Sequence, residues 1–131
     1  DSAENLIVVR GTRAFLILNK FPYTSGHVMV VPCQHTDALD LLDPFTRAEM
    51  MELVSRATTV LRAVYTPQGF NIGINMGSAA GAGVPGHIHI HIVPRWGGDT
   101  NFMSTVGGVR VLPEELAQTY ERIKKGWEED L

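Results

Sequence analysis

A single cysteine, Cys33, leaves no partner for an intramolecular disulfide and is consistent with a reducing cytoplasm. No apolar run approaches the ~18 residues needed to span a membrane, and the amino terminus lacks a signal-peptide pattern. Basic residues are outnumbered, 11 Lys and Arg against 14 Asp and Glu, for a net charge of −3 with histidines neutral. Such a chain has no basic field to draw in a nucleic-acid duplex, whereas small anions are still within reach of backbone amides and histidines. Repeats, low-complexity tracts and linker-like stretches are missing too. The 131 residues therefore read as one domain over 1–131, enough to bury a core of its own. Aspartate rather than methionine at position 1 suggests that residues before it were processed away or left out.

What the sequence does have is concentrated between Gly86 and Pro94, GHIHIHIVP. His87, His89 and His91 alternate with Ile88, Ile90 and Ile92, the period-two pattern of a half-buried strand. Successive strand side chains point to opposite faces, so the histidines share one face and the isoleucines the other. Neighbouring imidazoles then start roughly 6–7 Å apart, twice the rise per residue. A one-residue slip would bury three imidazoles and expose three isoleucines, so the isoleucine face fixes the register.

Around this stretch, Leu6–Val9 and Ala14–Leu18 are apolar runs separated by Gly11 and read as a β-hairpin, with Phe15, Ile17 and Asn19 on one face. Lys20 to Gly26 is a loop, and His27 to Val31 a third strand stopped by Pro32. Asp43 as N-cap and Pro44 as first residue open a helix. Its stripe of Met50, Leu53, Val54, Ala57, Val60, Leu61 and Val64 runs to about Tyr65, before Pro67 and Gly69 end it. Phe70 to Met76 alternates again, with Phe70, Ile72, Ile74 and Met76 opposite Asn71, Gly73 and Asn75. A small-residue run, Gly77 to Gly83, leads to the histidine strand. A Trp/Gly/Asp-rich loop from Arg95 precedes a last helix near Pro113 to Trp127, striped by Leu116, Tyr120, Ile123 and Trp127. The two late strands are joined by too short a segment for a parallel crossover, which predicts an α+β domain: a five-stranded antiparallel sheet carrying two helices.

A histidine strand can bind zinc, supply a nucleophilic imidazole, or be structural. A lone histidine such as His35 is ordinarily structural; three in register ask for chemistry. Zinc hydrolysis calls for a carboxylate or a positioned water as base, and no acid stands between Tyr65 and Arg95. A glycine and alanine loop stands there instead. Its amides, at Gly81, Ala82 and Gly83 in particular, suit an anion, and Asn71 and Asn75 are neutral donors to developing negative charge. That combination favours phosphorus chemistry through an imidazole, a good nucleophile at neutral pH and a good leaving group once protonated.

GHIHIHIVP resembles the signature of the histidine-triad (HIT) family, three histidines alternating with apolar residues. FLILNKFPYTSGHVMVVPCQH is similar to the strand, turn and strand that precede it there. VPRWGGDTNFM resembles a segment of the bacterial branch acting on diadenosine tetraphosphate. Together these cover most of residues 5 to 127. The resemblance implies a HIT-like fold that dimerises across its central helix and sheet edge. It implies a hydrolase of diadenosine tetraphosphate-like dinucleoside polyphosphates in which His89 attacks the α-phosphorus and carries a nucleotidyl intermediate. His91 would contact the transferring phosphate, and His87 and His27 would orient the site. Asn19 would hold the ribose hydroxyls, Ile17 and Phe15 would line the base pocket, and Asn75 would sit near the leaving phosphate. Trp96 and Phe102 are candidates to stack on a second nucleoside, or else belong to a loop packed on a partner subunit.

Two departures stand out. Gly83, Val84, Pro85 and Gly86 replace the Ser, Thr or Gln that many relatives carry ahead of the triad to protonate the leaving group. The amino-terminal Cys-x-x-Cys of relatives with structural zinc is missing, so no metal site is expected; His35 and His87 would be its partners only if such a pair preceded Asp1. His91, in place of the Gln of transferase branches, leans towards hydrolysis. The alternatives are phosphorolysis, with phosphate as acceptor, then a nucleoside phosphoramidase or a nucleotide-binding regulatory module. The chemistry requires no cofactor, and Mg2+ would arrive with the substrate polyphosphate. The partners expected are a nucleotide and a second copy of the chain, with no nucleic acid or membrane, in the cytoplasm.

Overall fold

A computed structural model describes residues 2–81, 86–99 and 114–130. Five strands form one antiparallel sheet: β1 (Ile7–Arg10), β2 (Ala14–Leu18), β3 (Val28–Pro32), β4 (Gly69–Ile74) and β5 (Ile90–Arg95), in the order β1-β2-β3-β5-β4. Among the described residues two helices, α1 (Pro44–Tyr65) and α2 (Leu116–Glu129), match the expected pair. Single 3-10 turns at Leu39–Leu41 and Ser78–Ala80 were not anticipated, since three residues leave no periodic signal. No helix among the described residues is long and apolar enough to cross a membrane.

Strand alternation builds the two faces. Ala14, Leu16 and Leu18 on β2, Val28, Val30 and Pro32 on β3, and Ile90, Ile92 and Pro94 on β5 are all buried. They meet Met50, Val54, Ala57, Val60 and Leu61 from α1, while Tyr120, Ile123 and Trp127 of α2 extend the core towards β1. Leu53 and Val64, the remaining members of the expected α1 stripe, are half-buried. Asp43 caps α1 by accepting from the Thr46 amide at 2.9 Å, with Pro44 in the first turn. Gly126 lets the two helices approach closely: a Cβ there would lie 2.7 Å from a Val64 methyl.

Several boundaries move by one to three residues from expectation, and two boundaries and one face bear on the site. Pro32 closes β3 as a paired residue opposite Ala14 instead of stopping short of the sheet. The β5 ladder begins only at Ile90, so His87 and His89 precede regular pairing, although Ile88 is still buried on the helix side. On β4 the apolar face is only partly covered, because β4 is an edge strand beyond the helices. Ile72 is 49% exposed and Met76, just past the strand, 48%.

Candidate active site

The face of the sheet opposite the helices gathers the expected residues in cross-strand rows. Pairing sets Ile17 opposite Met29, Met29 opposite His91, and His91 opposite Gly73. One step along β2, Phe15 lies opposite Val31; the same register continued past the ladder brings His89 and Asn75 into that row. One step the other way, Asn71 lies opposite Val93, and the Asn19 amide donates to the His27 carbonyl at 3.0 Å. Phe15, Ile17, Asn19 and Asn75 therefore share a surface with His27, His89 and His91, as period-two reading expects. Gly81 is exposed at the end of the 3-10 turn that follows β4. Ala82, Gly83 and Phe102 lie outside the described residues.

Hydrogen bonds set a role for each imidazole. His89 Nδ1 lies 3.1 Å from the carbonyl of His87, an acceptor only, so Nδ1 carries a proton, and in the neutral ring the lone pair is on Nε2. His27 is buried, and its Nδ1 accepts from the Tyr23 amide at 3.1 Å; its proton is therefore on Nε2, which donates to His91 Nδ1 at 2.9 Å. His91 in turn carries its proton on Nε2. Asn19 Nδ2 lies 3.3 Å from His27 Nε2, but both are donors and the His27 proton is directed at His91, so no hydrogen bond joins them; Asn19 Oδ1 accepts from the Phe21 amide at 2.8 Å. Burial, reinforced by the neighbouring His91 and His89, lowers the His27 pKa to about 4, and burial followed by His89 lowers that of His91. Both are neutral at pH 7, in keeping with the tautomers the hydrogen bonds require.

His87 acts differently from a third ring in line. Its Nε2 donates to the Pro32 carbonyl at 2.8 Å and its ring packs edge-on to His35, with centroids 5.1 Å apart. Its carbonyl reaches His89 Nδ1 at 3.1 Å. His89 and His91 are closer than ideal strand spacing, with centroids 4.6 Å apart. Thr36 pins this segment by accepting the Ile88 amide at 2.7 Å. Among the described residues no group of three or more metal-ligating side chains comes together, and His35 and His87 stand as a pair.

Beside His91 an open cleft of about 400 Å³ runs along β4 and β5, lined among others by His27, Asn75, Tyr23, Asn71, Val93 and Arg95. Trp96 is half-buried beyond the strand and is not among its walls. Tyr23 and Arg95 were not singled out from the sequence. Arg95 was findable: continuing the histidine alternation through 93 puts it on the same face. Tyr23 acts on His27 through its amide, which no side-chain pattern reveals.

Residues 2–98 match the family model of the HIT domain. The chain is 41% identical over 124 residues to a Mycobacterium tuberculosis protein named AP-4-A phosphorylase, with 95% of this chain and 64% of that protein covered. It is 36% identical over 78 residues to the asymmetrical bis(5'-nucleosyl)-tetraphosphatase of Schizosaccharomyces pombe, covering 60% of this chain and 42% of that one. The chain thus spans less than two thirds of the length of these relatives. A zinc-bound histidine triad family protein from Mycobacterium smegmatis superposes with a TM-score of 0.77 at 28% identity, over 95% of this chain and 85% of that one.

Proposed function

The chain belongs to the histidine-triad (HIT) family, and from that membership we propose that it transfers a nucleotidyl group from a diadenosine tetraphosphate-like dinucleoside polyphosphate to water. The observation that carries the reading is the bond from His89 Nδ1–H to the His87 carbonyl, which leaves Nε2 as a nucleophile beside the proton-bearing Nε2 of His91. His89 Nε2 attacks the α-phosphorus, forming a P–N bond as the P–O bond to the leaving polyphosphate breaks. Water then attacks, the P–N bond breaks, and the imidazole is regenerated. The His91 Nε2–H donates to the transferring phosphate, and His27 holds that ring in place. Asn19 meets the ribose and Ile17 with Phe15 the base, while Asn75 and the Gly81 amide serve the leaving phosphates. These steps call on no cofactor of the protein; Mg2+ arriving with the substrate would screen the polyphosphate charge.

A second reading, phosphorolysis, is favoured by the name of the 41% identical relative. It shares the first half-reaction and differs only in using phosphate as acceptor. Both operate in a cytoplasmic homodimer closed over the β4 edge and the exposed side of α1, where Met51 is 58% and Ile72 49% exposed.

Ion-exchange analysis of products from diadenosine tetraphosphate, with and without inorganic phosphate, tests this. AMP and ATP under both conditions establish hydrolysis. ADP and ATP only when phosphate is present establish the second reading. No product under either condition overturns both.

A further inference from the structure

The cleft beside His91 continues well past the reacting histidines, and its construction suits something other than phosphate. Along the open side of β4, Gly69, Asn71 and Gly73 face Arg95, Val93 and His91 of β5. A Cβ at Gly69 or Gly73 would meet nothing within 4 Å, so the β4 side is cut down to backbone at alternate positions. His91 to Arg95 spans four residues, about 13 Å of strand. At the far end Arg95 is immobilised: Nε and Nη2 donate to the two Asp99 oxygens at 2.8 and 2.7 Å, and Nη1 donates to Asn71 Oδ1 at 2.6 Å. Its guanidinium lies 5.1 Å from the centre of the Tyr23 ring, which is 52% exposed. With Oδ1 occupied, Asn71 has Nδ2, a donor, as its remaining polar atom in the cleft.

We propose that this trough is the subsite for the second nucleoside, the one that departs with the leaving polyphosphate. The inference rests on the reading above, which seats the first nucleoside over β2 at Asn19 and Ile17. The scissile phosphate then lies at His89 and His91, and the rest of a dinucleotide extends over the β4 side. The Asp99 carboxylate matches the Arg95 charge, so the pair presents a flat, fixed surface rather than a free cation. Tyr23 and Val93 offer the aromatic and apolar contacts a base stacks on, and Asn71 Nδ2 offers a donor to a ring nitrogen or hydroxyl. Chain length follows from the same geometry. A leaving group made of a polyphosphate and a nucleoside reaches the Tyr23–Arg95 end, whereas a small amine or a single phosphate does not.

The test compares kcat/KM for diadenosine tetraphosphate with that for adenosine 5'-phosphoramidate, which transfers the same group from a short leaving group. In Tyr23→Leu the ratio of the two falls about tenfold, within the loss expected for one base–aromatic stack, and in Asn71→Ala, which removes one hydrogen-bond donor, about fivefold. An unchanged ratio in both variants, whether from equal losses or none, overturns the subsite. Amide NMR gives a readout independent of turnover. A methylene-bridged diadenosine tetraphosphate shifts the Asn71, Gly73 and Val93 amides, and AMP, bound by the same protein, leaves Asn71 and Val93 unmoved. The same shifts with both ligands overturn the subsite alone. Absence of any shift with either ligand overturns the nucleotide reading and the subsite together.

Discussion

His89 and His91 stand two residues apart, yet their proton positions are set by different neighbours. A carbonyl accepts the hydrogen bond from His89 Nδ1–H, while a histidine donates to Nδ1 of His91. The first arrangement yields a nucleophile and the second a hydrogen-bond donor. His89→Ala therefore abolishes turnover while equilibrium dialysis still detects nucleotide; a rate within tenfold of wild type removes His89 from that role. His27 makes a pH-dependent contribution to stability. Its pKa is depressed in the fold from about 6.5 to about 4, so between those values the unfolded chain binds the extra proton. Stability from this source is complete above about pH 6.5 and declines as pH falls to 4. Urea midpoints measured across that window decline in the wild type and flatten in His27→Gln. At this scale the sequence disclosed the histidines but not their tautomers. The bond that prepares His89 goes to a main-chain oxygen two residues earlier, which is accessible because the ladder starts only at Ile90.

The elements owe their placement to a few contacts that bridge distant parts of the chain. Glu49 Oε2, on α1, accepts the amides of Arg13 and Ala14 at 2.7 Å each, closing the β1–β2 turn against the helix. Glu49→Ala leaves both donors without this partner and costs about 1–3 kcal/mol in urea denaturation. Gly26 sits at φ +88°, where a Cβ would approach the Tyr65 ring to 3.1 Å and Pro94 to 3.2 Å. Gly26→Ala is destabilising for both reasons, by about 1–3 kcal/mol, and it disturbs the residue next to His27. A melting temperature equal to wild type contradicts this. The strands were legible because Ala14, Leu16, Leu18 and Ile88, Ile90, Ile92 alternate cleanly, and α1 because Asp43, Pro44 and its stripe agree. Glu49 left no such trace. Its partners lie 35 and 36 residues away, and nothing local distinguishes it from Glu52.

In the whole molecule, one residue, Glu114, ties the start of α2 to the end of α1 through its carboxylate and to the loop before His27 through its amide. Glu114 accepts from the Tyr65 hydroxyl, from Thr119 Oγ1 at 2.8 Å and from Arg122 at 2.9 Å, and its amide donates to Ser25 Oγ at 3.2 Å. Burial alone would raise its pKa, but these hydrogen bonds outweigh burial and hold it below the usual value. Nearby, Thr24 Oγ1 donates to the Pro94 carbonyl at 2.7 Å and binds the same loop to β5. Assembly is tested at this scale too. Ile72→Glu on the β4 edge halves the mass found by sedimentation equilibrium, and an unchanged mass rules out that edge as the dimer contact. Fold class was legible from the order of patterned segments. The rows uniting β2, β3, β5 and β4 were not, because they depend on pairing between strands up to about 60 residues apart, which no local period encodes.

The covalent step is the central claim, and one measurement addresses it. Wild-type protein mixed with diadenosine tetraphosphate is quenched within a turnover and digested for peptide mass spectrometry. The account predicts an adenylyl adduct on the peptide containing His89, fragmenting to that residue, and none in His89→Ala. Turnover with no adduct at any quench time, or an adduct on His87 or His91 that persists in His89→Ala, contradicts it.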